Sequence, residues 1–83
     1  MTTSKILFFA QLRERANTGA MTIELAESVT VSNLKTHLLT CDLVPRDCFE
    51  GNVLCAVEHT LVDDNHLVKP GQEVAFFPPV TGG

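Results

Sequence analysis

Basic charge is scarce in this chain: six lysines and arginines stand against ten aspartates and glutamates, a net charge of −4, and the basic residues are scattered rather than clustered. The electrostatic footprint of a nucleic-acid binder is therefore missing, and no nucleic-acid partner is expected. Long apolar runs are also missing. Ile6 to Ala10 is shorter than the core of a signal peptide and far too short for a membrane span, so no membrane partner and a cytoplasmic location are expected. Cysteine is limited to Cys41, Cys48 and Cys55, an odd number without a Cys-x-x-Cys pair. That pattern fits neither a disulfide framework nor a zinc site, and reduced, mostly buried thiols are expected. Their equal spacing aligns nothing, because the three positions fall on a helix, a loop and a strand. No local motif marks any of them as a nucleophile.

Glycine is limited to Gly19, Gly51, Gly71, Gly82 and Gly83, which form no phosphate-binding loop, so the chain is not expected to bind ATP or another cofactor itself. His37, His59 and His66 lack the spacing of a metal site, and no metal is expected. With 83 residues and 9.1 kDa there is room for one domain and no more. The 45% hydrophobic content is enough for a core of ordinary globular type.

The residues that are present set out a clear order of elements. Lys5 to Gln11 is nearly continuous in apolar side chains and reads as a strand buried on both faces. Arg13 to Asn17 reads as a short turn of helix, and Asn17-Thr18-Gly19 as a turn into a second strand at Met21 to Leu25, where apolar and polar residues alternate. Thr30 is the expected N-cap of the one long helix. Val31, Leu34, Leu38 and Cys41 form its apolar stripe, with His37 at the stripe's edge. Pro45 blocks any helical continuation, and Arg46 to Gly51 reads as a loop. Asn52 to Glu58 is a third strand, Thr60 to Val62 a short one, and Asp63 to His66 a polar turn. Lys69-Pro70-Gly71-Gln72 has Pro and Gly in the middle of a type II turn and launches a last strand, Glu73 to Phe77.

One long helix can cover only one face of such a sheet. On the other face Leu7, Phe9, Phe77 and Leu61 are expected to stand in water, each forgoing about 1.5–3 kcal/mol of burial. An apolar patch of that kind marks a partner interface. Residues 1–77 make up the body. Residues 78–83 form a tail, because Pro78 and Pro79 lack backbone donors and favour the stiff, extended polyproline II conformation. Gly82 and Gly83 have no Cβ and can pass a channel too narrow for other residues. An end of this shape suits insertion into another protein's active site.

The closing segment Glu73-Val74-Ala75-Phe76-Phe77-Pro78-Pro79-Val80-Thr81-Gly82-Gly83 resembles the C-terminus of the MoaD family of ubiquitin-like sulfur carriers, the small subunits of molybdopterin synthase. Lys5 to Glu14 is similar to the family's first strand and its Arg-Glu exit, and Thr30 to Leu38 to its helix. The resemblance implies an α+β, β-grasp fold, with a mixed four- to five-stranded sheet and one main helix packed on one face. It also implies that the Gly83 carboxylate is adenylated by a MoeB-like activating enzyme, which consumes the ATP, and that a sulfur donor protein then converts it to a thiocarboxylate. Pro78, Pro79, Val80, Thr81 and Gly82 would thread into the pocket of a MoaE-like large subunit. Sulfur would pass there to cyclic pyranopterin monophosphate in two rounds, within a heterotetramer. Phe9, Leu61 and Phe77 match the family's interface positions, and Arg13 an arginine that docks the tail. Three positions depart from the family pattern: Glu58-His59 stands where many relatives carry Asn-Gln, and Gln72 where an acidic residue is common. The tail by itself also admits a sulfur carrier of another pathway, such as thiamine, or a ubiquitin-like modifier or interaction domain.

Overall fold

The computed structural model describes residues 2–79. The chain runs β1 (Thr2–Phe8), α1 (Ala10–Ala16), β2 (Ala20–Leu25), β3 (Val29–Thr30), α2 (Val31–Thr40), β4 (Leu54–Val57), β5 (Thr60–Val62), β6 (Leu67–Val68) and β7 (Val74–Phe77). Five strands form a mixed sheet in the order β2-β1-β7-β4-β5, with β1 and β7 parallel at its centre and the other pairs antiparallel. Strands β3 and β6 pair separately as a two-stranded ribbon. The first and last strands of the body thus lie side by side in the ubiquitin-like β-grasp arrangement expected from the sequence.

The core follows from alternation. Ile6, Phe8, Ile23, Leu25, Cys55, Val57, Val74 and Phe76 point to one side of the sheet and are all buried there. Leu12 and Ala16 of α1 and Val31, Leu34 and Leu38 of α2 pack into the same cluster. Phe8 and Phe76 stack across the β1–β7 pair with ring centroids 6.0 Å apart, and Phe49 tilts against Phe76 at 4.9 Å. Among the described residues Ser4 is the only buried polar side chain. Its hydroxyl accepts the Gly71 N–H at 2.9 Å, tying β1 to the turn before β7.

Local chemistry explains the boundaries. Thr30 caps α2 by accepting the Asn33 N–H at 3.1 Å, as its position before the stripe predicts. The helix ends well before Pro45, because Asp42 adopts a left-handed conformation (φ 57°). Asp42 and Leu43 then donate to the carbonyls of Leu39 and Leu38 at 3.2 and 3.0 Å, which is a Schellman closure. Gln72 donates to Lys69 across the type II turn at 3.1 Å, with Gly71 at φ +92° where a side chain would be strained.

Several sequence expectations need correction. The first strand is Thr2–Phe8 rather than Lys5 to Gln11, because Ala10 turns to φ 53° and opens α1, a seven-residue helix. That strand is buried on one face only: Ser4, Ile6 and Phe8 point inward, while Lys5 is exposed and Leu7 half-buried. Cys41 does not complete the apolar stripe. It caps the end of α2 and is exposed, while Cys48 and Cys55 are buried, and all three thiols are free.

Candidate functional site

The side of the sheet away from the core is assembled by register. Leu7 lies beside Ala75, Ala75 beside Ala56, and Ala56 beside Leu61, giving one apolar row across β1, β7, β4 and β5. Leu54 and Phe77 form a second row one step along β4 and β7. Phe9 extends the set past the end of β1: its backbone stays extended (φ −121°, ψ 153°) and donates to the Phe76 carbonyl at 3.1 Å. Both helices send their buried side chains to the opposite side, so no described helix covers these rows. Leu61 remains 62% exposed and Phe9 47%, and Phe77, Leu7, Leu54, Ala56 and Ala75 are half-buried. The face therefore consists of apolar side chains that folding leaves partly in water, which is the physical condition for docking a partner.

Leu54, Ala56 and Ala75 belong to this face but are absent from the residues that the sequence singles out. Their alternation with the buried Cys55, Val57, Val74 and Phe76 was readable. Their membership of one face depends on β4 lying beside β7, and strand order is not written in periodicity.

The exit of the tail sits at the rim of the same face. Strand β7 ends at Phe77, where Pro78 has no N–H to continue a ladder. Pro78 is half-buried and Pro79 exposed. Val80, Thr81, Gly82 and Gly83 lie outside the described residues.

Arg13 projects from α1, which packs beside β7. Its guanidinium carbon lies 3.2 Å from where a Cβ on Gly19 would stand, so the glycine is what lets this side chain cross the β2 approach. A cleft lined by Ala10, Arg13, Glu14, Asn17, Thr18 and Gly19 surrounds it. The ion pairs among the described residues are Lys35–Asp64 at 2.8 Å and His59–Glu73 at 3.8 Å, and Arg13 takes part in neither.

The second of these pairs belongs to the β4–β5 hairpin, whose Leu61 is the most exposed member of the open face. Glu58 and His59 form its two-residue turn with φ of 51° and 68°, the type I′ geometry that normally calls for Asn and Gly. The Glu58 carboxylate accepts the Glu73 N–H at 3.0 Å and anchors the turn to the start of β7. These two residues thus form a left-handed turn held by side-chain contacts.

The buried thiols are unsuited to nucleophilic work. Burial pushes Cys55 up to about 11 from an ordinary value of 9.0. Burial likewise raises Cys48, with Asp47 adding to the effect and Arg15 opposing it. Among the described residues no group of three or more His, Cys, Asp or Glu side chains is placed to hold a metal ion. No described helix is long and apolar enough to cross a membrane.

Comparison with known proteins agrees with this geometry. The ThiS family profile matches residues 6–83. A molybdopterin synthase sulfur carrier subunit from Escherichia coli is 45% identical over 80 residues, covering 95% of this chain and 98% of its own. The Haemophilus influenzae protein of the same description is 39% identical over 79 residues, covering 94% of this chain and 96% of its own. Among solved structures, a putative molybdopterin converting factor subunit 1 from Pyrococcus furiosus superposes with a TM-score of 0.76 at 25% identity, over 96% of this chain and all of that one.

Proposed function

This chain belongs to the ThiS family, and we propose that within it the protein is the sulfur-carrier small subunit of a molybdopterin synthase. The observation that carries the proposal is where the tail leaves the body. The central strand β7 runs past an apolar face that neither helix covers and ends in Pro78-Pro79 at its rim. A partner seated on that face would lie next to the point where the tail leaves the body. The description shared by relatives at 45% and 39% identity supports the choice of pathway.

In this reading Leu61, Phe9 and Phe77 dock on a large subunit, and burying what folding leaves exposed recovers a part of the roughly 1.5–3 kcal/mol that a fully exposed side chain would gain, most for Leu61 and least for Phe77. Arg13, on α1 in the cleft beside Gly19, offers the partner a cation that no described acidic group pairs. Pro78 and Pro79 restrict the tail before it enters the pocket, which lowers the ordering cost of each insertion. Val80, Thr81 and Gly82 thread the channel and present Gly83.

The chemistry belongs to the Gly83 carboxylate. An activating enzyme joins it to AMP and releases pyrophosphate from ATP, and sulfur released at the sulfide level from a donor protein then attacks the carbonyl and displaces AMP to leave a thiocarboxylate. Sulfur passes to cyclic pyranopterin monophosphate in the large subunit, the carrier returns as a carboxylate, and a second loaded carrier completes the dithiolene. The chain resembles a carrier cofactor in this role, because the reactive group travels on it while partners supply the catalysis.

The test is reconstitution with a large subunit, an activating enzyme, ATP, a sulfur source and the pterin substrate. Deleting Gly83 should abolish dithiolene formation while leaving the circular dichroism and melting of the body unchanged. Activity retained by the truncated chain would refute the carrier mechanism. Dithiolene formation by the full chain separates this reading from a thiamine-pathway carrier, which would instead support thiazole formation.

A further inference from the structure

His37 and Cys41 stand one turn apart on α2, and the Cys41 sulfur lies 3.8 Å from Nδ1 and 3.9 Å from Nε2 of the His37 ring. Both residues are exposed. We infer that this pair is a two-ligand surface site for a thiophilic divalent cation, with Zn²⁺ as the best-matched ion.

The distances carry the inference. Tetrahedral zinc holds thiolate sulfur at about 2.3 Å and imidazole nitrogen at about 2.0–2.1 Å, which sets the two donors about 3.5 Å apart. The sulfur is nearly equidistant from both ring nitrogens, so binding requires the imidazole ring to rotate and aim one nitrogen at the shared ion, after which the sulfur–nitrogen span closes by a few tenths of an ångström. The two side chains are also the right types, a soft thiolate with a borderline imidazole, for zinc in preference to magnesium or calcium.

The backbone holds the pair in place. Cys41 donates its N–H to the His37 carbonyl at 3.0 Å, and the Schellman closure through Asp42 and Leu43 fixes the last turn on either side of the thiol. The same position lies at the negative end of the helix, which favours a bound cation. Water completes the coordination, because both ligands face solvent. Binding replaces the thiol proton by the metal and releases that proton to solvent.

The site is independent of the proposed docking face. The buried side of α2 packs on the core side of the sheet, whereas Leu61, Phe9 and Phe77 lie on the other. The remaining thiols do not compete, since Cys48 and Cys55 are buried.

Titration of the reduced protein with Co²⁺, followed through the thiolate-to-cobalt charge-transfer band and reversed by Zn²⁺, tests the inference. The wild-type chain should develop the band, Cys41→Ser should lose it, and His37→Gln should weaken binding at least tenfold. Circular dichroism should show all three folded. Zn²⁺ should also slow alkylation of Cys41 in the wild type and fail to do so in His37→Gln. No band in the wild type, a band that survives in Cys41→Ser, or undiminished affinity in His37→Gln would each overturn the assignment.

Discussion

Phe9 donates its backbone N–H to the carbonyl of Phe76 at 3.1 Å, one residue beyond the end of β1. The bond carries the β1–β7 pairing forward by one step and keeps Phe9 in the extended register of Leu7. Phe8 is stacked on Phe76 in the core, while Phe9 is left 47% exposed on the opposite side. Two adjacent phenylalanines thus serve different ends: one holds the sheet to its helices and the other faces outward beside the tail.

The outward face can be tested without disturbing the fold. Leu61 is 62% exposed, so Leu61→Asp should shift stability by no more than about 0.5 kcal/mol, the usual range for surface substitutions. The same change should weaken binding to a large subunit at least tenfold, because it places a charge in an interface that must desolvate it. Calorimetric titration and thermal melting of one preparation check both halves.

The β4–β5 turn gives a prediction of opposite sign. His59 sits at φ 68° without being glycine, and its pairing with Glu73 at 3.8 Å involves a ring that is 85% exposed, which earns little stability. His59→Gly should relieve the left-handed strain and stabilise the domain by about 1 kcal/mol, raising Tm by roughly 4–8 °C. Differential scanning calorimetry measures it.

Ser4→Ala should destabilise. It removes the acceptor of the Gly71 N–H, at a cost of about 1 kcal/mol in the stability read from urea unfolding. Ser4→Thr keeps the acceptor and should recover part of that loss.

Stability should also fall in alkali. Cys55 titrates near 11 in the folded chain and near 9.0 in a solvated one, so the unfolded state loses its proton first. The folded state's advantage is whole below pH 9 and declines as pH rises toward 11, by roughly 2 kcal/mol at the upper end. Denaturant unfolding from pH 8 to 11 should show the decline, and Cys55→Val should lessen it, leaving the part that the raised Cys48 contributes.

Much of this architecture was legible in the residues. Thr30 announced the start of α2, Pro70-Gly71 the turn before β7, and the single apolar stripe of α2 the uncovered side of the sheet. What escaped depended on contacts between distant segments. The β3–β6 ribbon is two residues wide on each side and carries no periodic signal. Cys41 continues the helical spacing on paper, but Asp42 turns left-handed directly after it and leaves the thiol in solvent. Leu54 and Ala56 joined the open face only once β4 was placed beside β7.

The carrier proposal stands or falls on the chemical state of Gly83. Intact mass of the purified chain should be taken before and after incubation with an activating enzyme of this family, ATP and a sulfur source. The account predicts a gain equal to exchanging one oxygen for sulfur, localised by fragmentation to Gly83. An unchanged mass, alongside a control carrier that is loaded in the same reaction, would contradict it.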